Sequence, residues 1–178
     1  MPFERSQFEA AGGDWEMGQL CNEMLDTVAS TRLKEVPGKH FIKSKVAWKF
    51  AVLRQALTYR LVDLVEGTMF LWGAGHWLSA LIVGRSTLET VALIHSIEVR
   101  ARKALDNKNI TELDELVEKE TFSAKSPDYL LDPDFVATNI LNAIDRLDKE
   151  VPAIRKYYDT LSEYAHPNGK GHYFFGSS

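Results

Sequence analysis

WLSALIVGRSTLETVALIHSIEV, residues 77–99, is the stretch on which the fold turns. Wound at ~100° per residue, it sets Leu, Ile, Val or Ala at nearly every angle, so it predicts a helix with no side reserved for water. Such a helix is either the core helix of a globular domain or a membrane span. Arg85 and Glu89 interrupt it one turn apart, on the side that also carries Leu78, Leu81 and Ala92. A buried charge is costly unless paired, and an Arg with a Glu at i+4 has the geometry to pair. The pair has two readings. It is an ion lock that fixes how the helix docks, or an Arg held by Glu so that its fork faces an anion.

Working outward, residues 68–84 (TMFLWGAGHWLSALIVG) have the length of a short span and His76 as their one titratable residue. Gly73 and Gly75 divide them, and Arg60, Asp63, Arg85 and Glu89 stand close by. A buried helical hairpin reversing at Gly73-Ala74-Gly75 is the expectation, with Gly67 the competing break, because glycine ends helices by entering the left-handed region cheaply. No membrane association is expected.

Upstream, Ser44 caps a long helix over residues 45–72 with a ridge of Val46, Phe50, Leu53, Leu57, Leu61 and Leu64. A basic loop with Lys34, Lys39, His40 and Lys43 precedes it, and Pro37-Gly38 marks a turn there. Asp14 caps a first helix whose apolar stripe is Trp15, Leu20, Cys21, Met24, Leu25 and Val28. Residues 1–13 are a loose lead-in to a single all-helical domain over 14–178.

Downstream, the central helix frays into the polar segment 100–109, and Asn109 or Thr111 caps a short acidic helix ending near Phe122. Asp132-Pro133 signals another helix start, with Val136, Ile140, Ala143, Ile144, Leu147 and Val151 on its inner face. Pro152 opens the last helix, with Ile154, Tyr157, Tyr158, Leu161, Tyr164 and Ala165 inward. His166-Pro167-Asn168-Gly169 stops it, and the Tyr173-Phe174-Phe175 tail has reason to pack on the core. The class is all-α: a single-domain antiparallel bundle of about six helices.

Composition bounds the function. The chain has 178 residues, 45% hydrophobic and 26% charged, enough for one domain with a core. A net charge of −4 argues against broad phosphate binding, which needs clustered Lys and Arg, though a small basic pocket remains compatible with it. The lone Cys21 cannot form an intramolecular disulfide, which suits a reducing, cytoplasmic setting. No cofactor is expected, since phosphate-loop, dinucleotide and nucleophile-elbow motifs are missing from the sequence.

The last helix offers chemistry. Tyr158, Ser162 and His166 at i, i+4, i+8 share a face, with Glu163 beside them. At a helix C-terminus an imidazolium is favoured, which suits His166 to acid–base work or to capping the last carbonyls. Glu163-Tyr-Ala-His166 and His95-x-x-Glu98 are Glu/His pairs of opposite sense, a poor set for a metal, and none is expected.

GRSTLETVALIHSI on one helix and YYDTLSEYAHPN closing a later one resemble uncharacterised helical proteins distantly similar to the HEPN (higher eukaryotes and prokaryotes nucleotide-binding) superfamily. The matching positions are Arg85, Ser86, Glu89, Ser162 and His166, within residues 47–168. The resemblance implies a helical bundle that often dimerises, and in many relatives a metal-independent ribonuclease with an Arg four to six residues before its His. Here the nearest upstream Arg is Arg155, too far from His166 for that spacing. Two functions follow. In the first, the chain is a non-catalytic interaction module and homodimer. In the second, Arg85 and His166 form an RNA-binding or RNA-cleaving pocket supported by Ser86, Glu89, Tyr158, Ser162, Glu163 and Asn168.

Overall fold

A computed structural model of the chain describes residues 3–38, 43–129 and 134–166. They are all-α, with seven α-helices among the described residues: α1 Arg5–Ala10, α2 Trp15–Ser30, α3 Lys45–Gly73, α4 Trp77–Asp106, α5 Ile110–Phe122, α6 Ile140–Glu150 and α7 Ile154–Ala165. Several ends fall where local chemistry sets them. Asp14 caps α2 by accepting from the Glu16 N–H at 3.1 Å, and the Ser44 hydroxyl accepts from the Ala47 N–H at 3.2 Å. Asn109 accepts from the Glu112 N–H at 3.1 Å and donates to its carboxylate, so each residue satisfies the other.

The helices group into two compact units, each assembled from separate stretches of chain. The first draws on described residues within Met1–Arg32, Thr58–Thr90 and Ala153–Ser178. In it, α3 ends and the chain turns back into α4 through a Schellman closure. Gly75 takes φ +78°, its N–H reaches the Trp72 carbonyl, and the His76 N–H reaches that of Leu71. This turn interrupts residues 68–84, so they are a hairpin and not one span. Across the hairpin Gly67 meets Val83, Gly84 meets Thr68, and the Trp72 and Trp77 rings pack edge to face. Val62, Met69 and Ala80 are buried there. Of the expected lead-in, residues 5–10 form α1, whose Phe8 ring lies over Gly13 and Gly18.

The second unit draws on Leu33–Leu57 and Val91–Pro152. Its core joins Leu53 of α3, Ile97 of α4 and Val117 of α5, with Phe50, Leu57 and Leu93 against them. Ala143, Ile144 and Leu147 of α6 are buried as the sequence implied.

Other expectations are corrected. Helix α4 does not fray at 100. It runs to Asp106 and closes in a second Schellman turn, with Lys108 at φ 54° and the Asn109 N–H on the Ala104 carbonyl. Nor is it apolar-buried all round, since Ile82, Val91 and Val99 face solvent. Asp132-Pro133 lies outside the described residues, and α6 starts only at Ile140, with Asn139 as its cap. Residues 135–137 are instead held against Ala124 by backbone bonds from the Ala124 N–H to Phe135 and from the Ala137 N–H to Ala124. Val136 is exposed in that bridge. Helix α7 begins at Ile154, after Ala153 in a left-handed cap, and not at Pro152. Tyr157 and Val151 point outward, as do Leu20 and Met24 of α2.

Among the described helices, α4 is long and apolar enough to cross a membrane. Its Arg85 and Glu89 are engaged by a side chain of α7.

Candidate functional site

Arg85 and Glu89 are paired, as their spacing required, and a third residue closes the set. The Arg85 Nε donates to Glu89 Oε1 at 3.2 Å, and Arg85 Nη2 donates to the Tyr158 hydroxyl at 3.2 Å. That hydroxyl donates in turn to Glu89 Oε1 at 3.0 Å. The guanidinium also sits 5.3 Å from the Tyr158 ring centroid. Tyr158 is buried, at 4% exposure, while the charged pair is part-buried. Burial lowers the Arg85 pKa, but the hydrogen bond to Tyr158 and the electrostatic attraction of Tyr158 and Glu89 outweigh it and leave it above the ordinary arginine value.

The rest of the expected set is not drawn into this ring. His166 ends α7 as an exposed C-cap whose backbone N–H reaches the Ser162 carbonyl at 3.1 Å. It lies eight residues beyond Tyr158, a rise of about 12 Å along a helix. Among the described residues no hydrogen bond or ion pair joins it to Arg85. Ser86 is turned back on its own helix, its hydroxyl 3.5 Å from the Ile82 carbonyl. The Ser162 hydroxyl is buried without a hydrogen-bond partner. Glu163 is exposed, and Asn168 lies outside the described residues. Among the described residues, no group of three or more His, Cys, Asp or Glu side chains is gathered as a metal site; Glu98 is held by Arg102.

The second unit contains a cavity of about 310 Å³ whose polar lining sequence reasoning did not single out. Arg100 of α4, Lys119 of α5 and Arg146 of α6 line it, with Ser96, Thr138 and Asn142 among the polar groups between them. Beside it the Glu120 carboxylate, 2% exposed, accepts from both Arg100 and Thr138 through Oε1. Arg100 Nε also donates to the Ser96 carbonyl at 3.3 Å, and Arg146 Nη1 to the Ser96 hydroxyl at 3.2 Å. Ser96 has no exposure at all, which makes it the fixed point for both arginines. One signal was available in the sequence: Ser96 and Arg100 are a polar pair at i, i+4 on an otherwise apolar helix, as Arg85 and Glu89 are.

No protein-family model matches the chain, and neither a curated protein nor a solved structure is detectably similar to it.

Proposed function

We propose that this protein is a non-catalytic, cytoplasmic helical interaction module of HEPN-like type that acts as a homodimer. The observation that carries the reading is an outward apolar row on α2. Met17, Leu20 and Met24, at i, i+3 and i+7, are 56%, 48% and 59% exposed. Three long apolar side chains on one helix shoulder gain little from water and much from a second surface. Phe70 and Trp77 add exposed apolar area in the same unit. A two-fold pairing of α2 with its copy is self-complementary, since each row then covers the other.

The closed ring at Arg85 supports the non-catalytic part. A guanidinium committed to Glu89 and Tyr158 has a structural task, and the imidazole that would complete a nuclease is held at the far end of α7. The dimer is tested by light scattering at micromolar concentration. The parent is expected at twice the chain mass, and Met17→Glu with Leu20→Glu at the chain mass with an unchanged circular dichroism spectrum. Because Glu16, Glu23 and Asp26 flank the row and α2 carries no base, added salt should tighten the dimer by screening like charges. A monomeric parent overturns the reading. RNA cleavage in chelator that is lost in both Arg85→Ala and His166→Ala would establish the nuclease in its place.

A further inference from the structure

We infer that the cavity between α4, α5 and α6 is a binding site for a small phosphate monoester. This does not rest on the interaction reading, because the cavity uses none of the residues of α2 or of the Arg85 ring.

Charge comes first. Three cations line or border the space against one buried carboxylate, and that carboxylate is already shared by Arg100 and Thr138. No carboxylate is among the described residues that line the space, and the Arg146 guanidinium donates to the neutral Ser96 hydroxyl. Three cations and no acid among the described lining residues set this cavity apart in a chain of net charge −4. Like charges held together lose free energy unless an anion joins them.

Geometry then selects the kind of anion. The donors come from three separate helices, so they approach from different sides and suit an acceptor with several oxygens. Guanidinium forks match phosphate oxygens in pairs, and the ammonium of Lys119 adds a point charge. The N-terminus of α6, with Thr138 and the cap Asn139 just before it and Asn142 in its first turn, contributes positive dipole and further donors. Orientation is fixed in advance, because Ser96 holds both arginines and Glu120 holds Arg100 a second time. Preorganised donors bind without first losing side-chain freedom.

Size and lining select the rest of the ligand. A cavity of about 310 Å³ stands at the lower edge of small-molecule sites, so it admits a phosphate with a compact substituent. Val136, Ala137 and Ala143 supply a short apolar wall for that substituent. Inorganic phosphate alone leaves that wall unused, and the ester should therefore bind more tightly.

The test follows ¹⁵N amide shifts and calorimetry on the full chain, with inorganic phosphate, phenyl phosphate and phenol as probes. Phenyl phosphate is expected to saturate, phosphate to bind more weakly, and phenol not to bind. Shifts should centre on Ser96, Thr138, Asn139 and Asn142. Lys119→Ala and Arg146→Ala should each weaken phenyl phosphate roughly tenfold or more, the usual worth of a charge-assisted hydrogen bond. Lys125→Ala, a lysine outside the lining, should leave it unchanged. Absence of saturable binding at millimolar ester overturns the proposal, as does binding that survives both substitutions. Sedimentation with phosphatidate vesicles separates the two sources of a phosphate monoester. Binding to vesicles without binding of the soluble ester would overturn the small-molecule assignment.

Discussion

Arg85 and Arg100 stand on the same helix, each beside a glutamate, and their surroundings use them differently. At Arg85 one cation meets one carboxylate and one phenol, and the three bond to one another in a ring. At Arg100 the partner carboxylate is more deeply buried, yet two further cations, Lys119 and Arg146, line the same cavity, and no acid is among the described residues that line it. A ring in which cation, carboxylate and phenol each bond the other two is a self-contained lock. A cavity with surplus cations is less stable when empty and gains from an anion. The difference is one of accounting and not of residue type. Whether an arginine on an apolar helix is a lock or a binding group depends on how many partners other elements bring to it.

The largest effect is expected at the ring. Glu89→Ala leaves Arg85 without its carboxylate and the buried Tyr158 hydroxyl without its acceptor. The part-exposed guanidinium can recover some water, so the loss should be about 2–3 kcal/mol, below that of a fully buried pair. Urea unfolding measures it, and an unchanged midpoint would break the description of the ring as a lock. Next is Glu120→Gln in the cavity wall. The amide carbonyl can still accept from Thr138, but the charge opposing Arg100 is lost, at a cost of about 1–2 kcal/mol. The same substitution adds one net positive charge to the cavity and should tighten phenyl phosphate severalfold. Loss of stability together with tighter binding is the signature that separates the cavity from the ring. Tyr158→Phe keeps the stacking on Arg85 and removes only the hydroxyl, so about 1 kcal/mol is expected.

Much of this molecule is legible in its sequence where the cause is local. Asp14, Ser44 and Asn109 are caps because a side-chain oxygen reaches an N–H two or three residues on, and Gly75 reverses the chain because it lacks a Cβ. Arg85 and Glu89 meet because a helix turn brings them together. Tyr158 belonged to the expected set, but its bond to Arg85 spans 73 residues and no spacing rule reaches that far. Asp132-Pro133 is a sound local start signal. The pairing of 135–137 with Ala124, and the stacking of Phe122 on Phe135 that accompanies it, hold part of that segment extended and leave the start to Asn139. Beyond the Ser96–Arg100 spacing, the cavity was hidden for the same reason. Its cations come one from each of three helices, and along the chain each looks like an ordinary solvated charge. Leu20 and Met24 show the limit of periodicity, which places a residue on a stripe and cannot say which edge of the stripe is covered.

Lys49 completes the comparison from the other side, as a cation with more acid than it needs. Its ammonium lies 2.5 Å from Asp114 and 2.5 Å from Glu118, both on α5, and these bonds raise its pKa above the ordinary lysine value, Asp114 first and Glu118 next, against a smaller opposing effect of burial. A lysine whose pKa is raised on folding contributes stability that is present in full below the unfolded value. The contribution is lost as pH climbs through the folded value, so the window lies on the alkaline side of the lysine range. All three groups are partly open to water, and solvent-screened pairs of this kind are worth about 0.2–1 kcal/mol. Lys49→Met is therefore expected to cost less than any change in the ring, and most of that cost should disappear in high salt. It should also flatten the alkaline fall in stability, because the variant has no proton to lose at this site. Denaturant unfolding from neutral to strongly alkaline pH, for parent and variant side by side, reads this directly. Curves that stay parallel throughout would mean that the two carboxylates on α5 hold Lys49 no more tightly than water does.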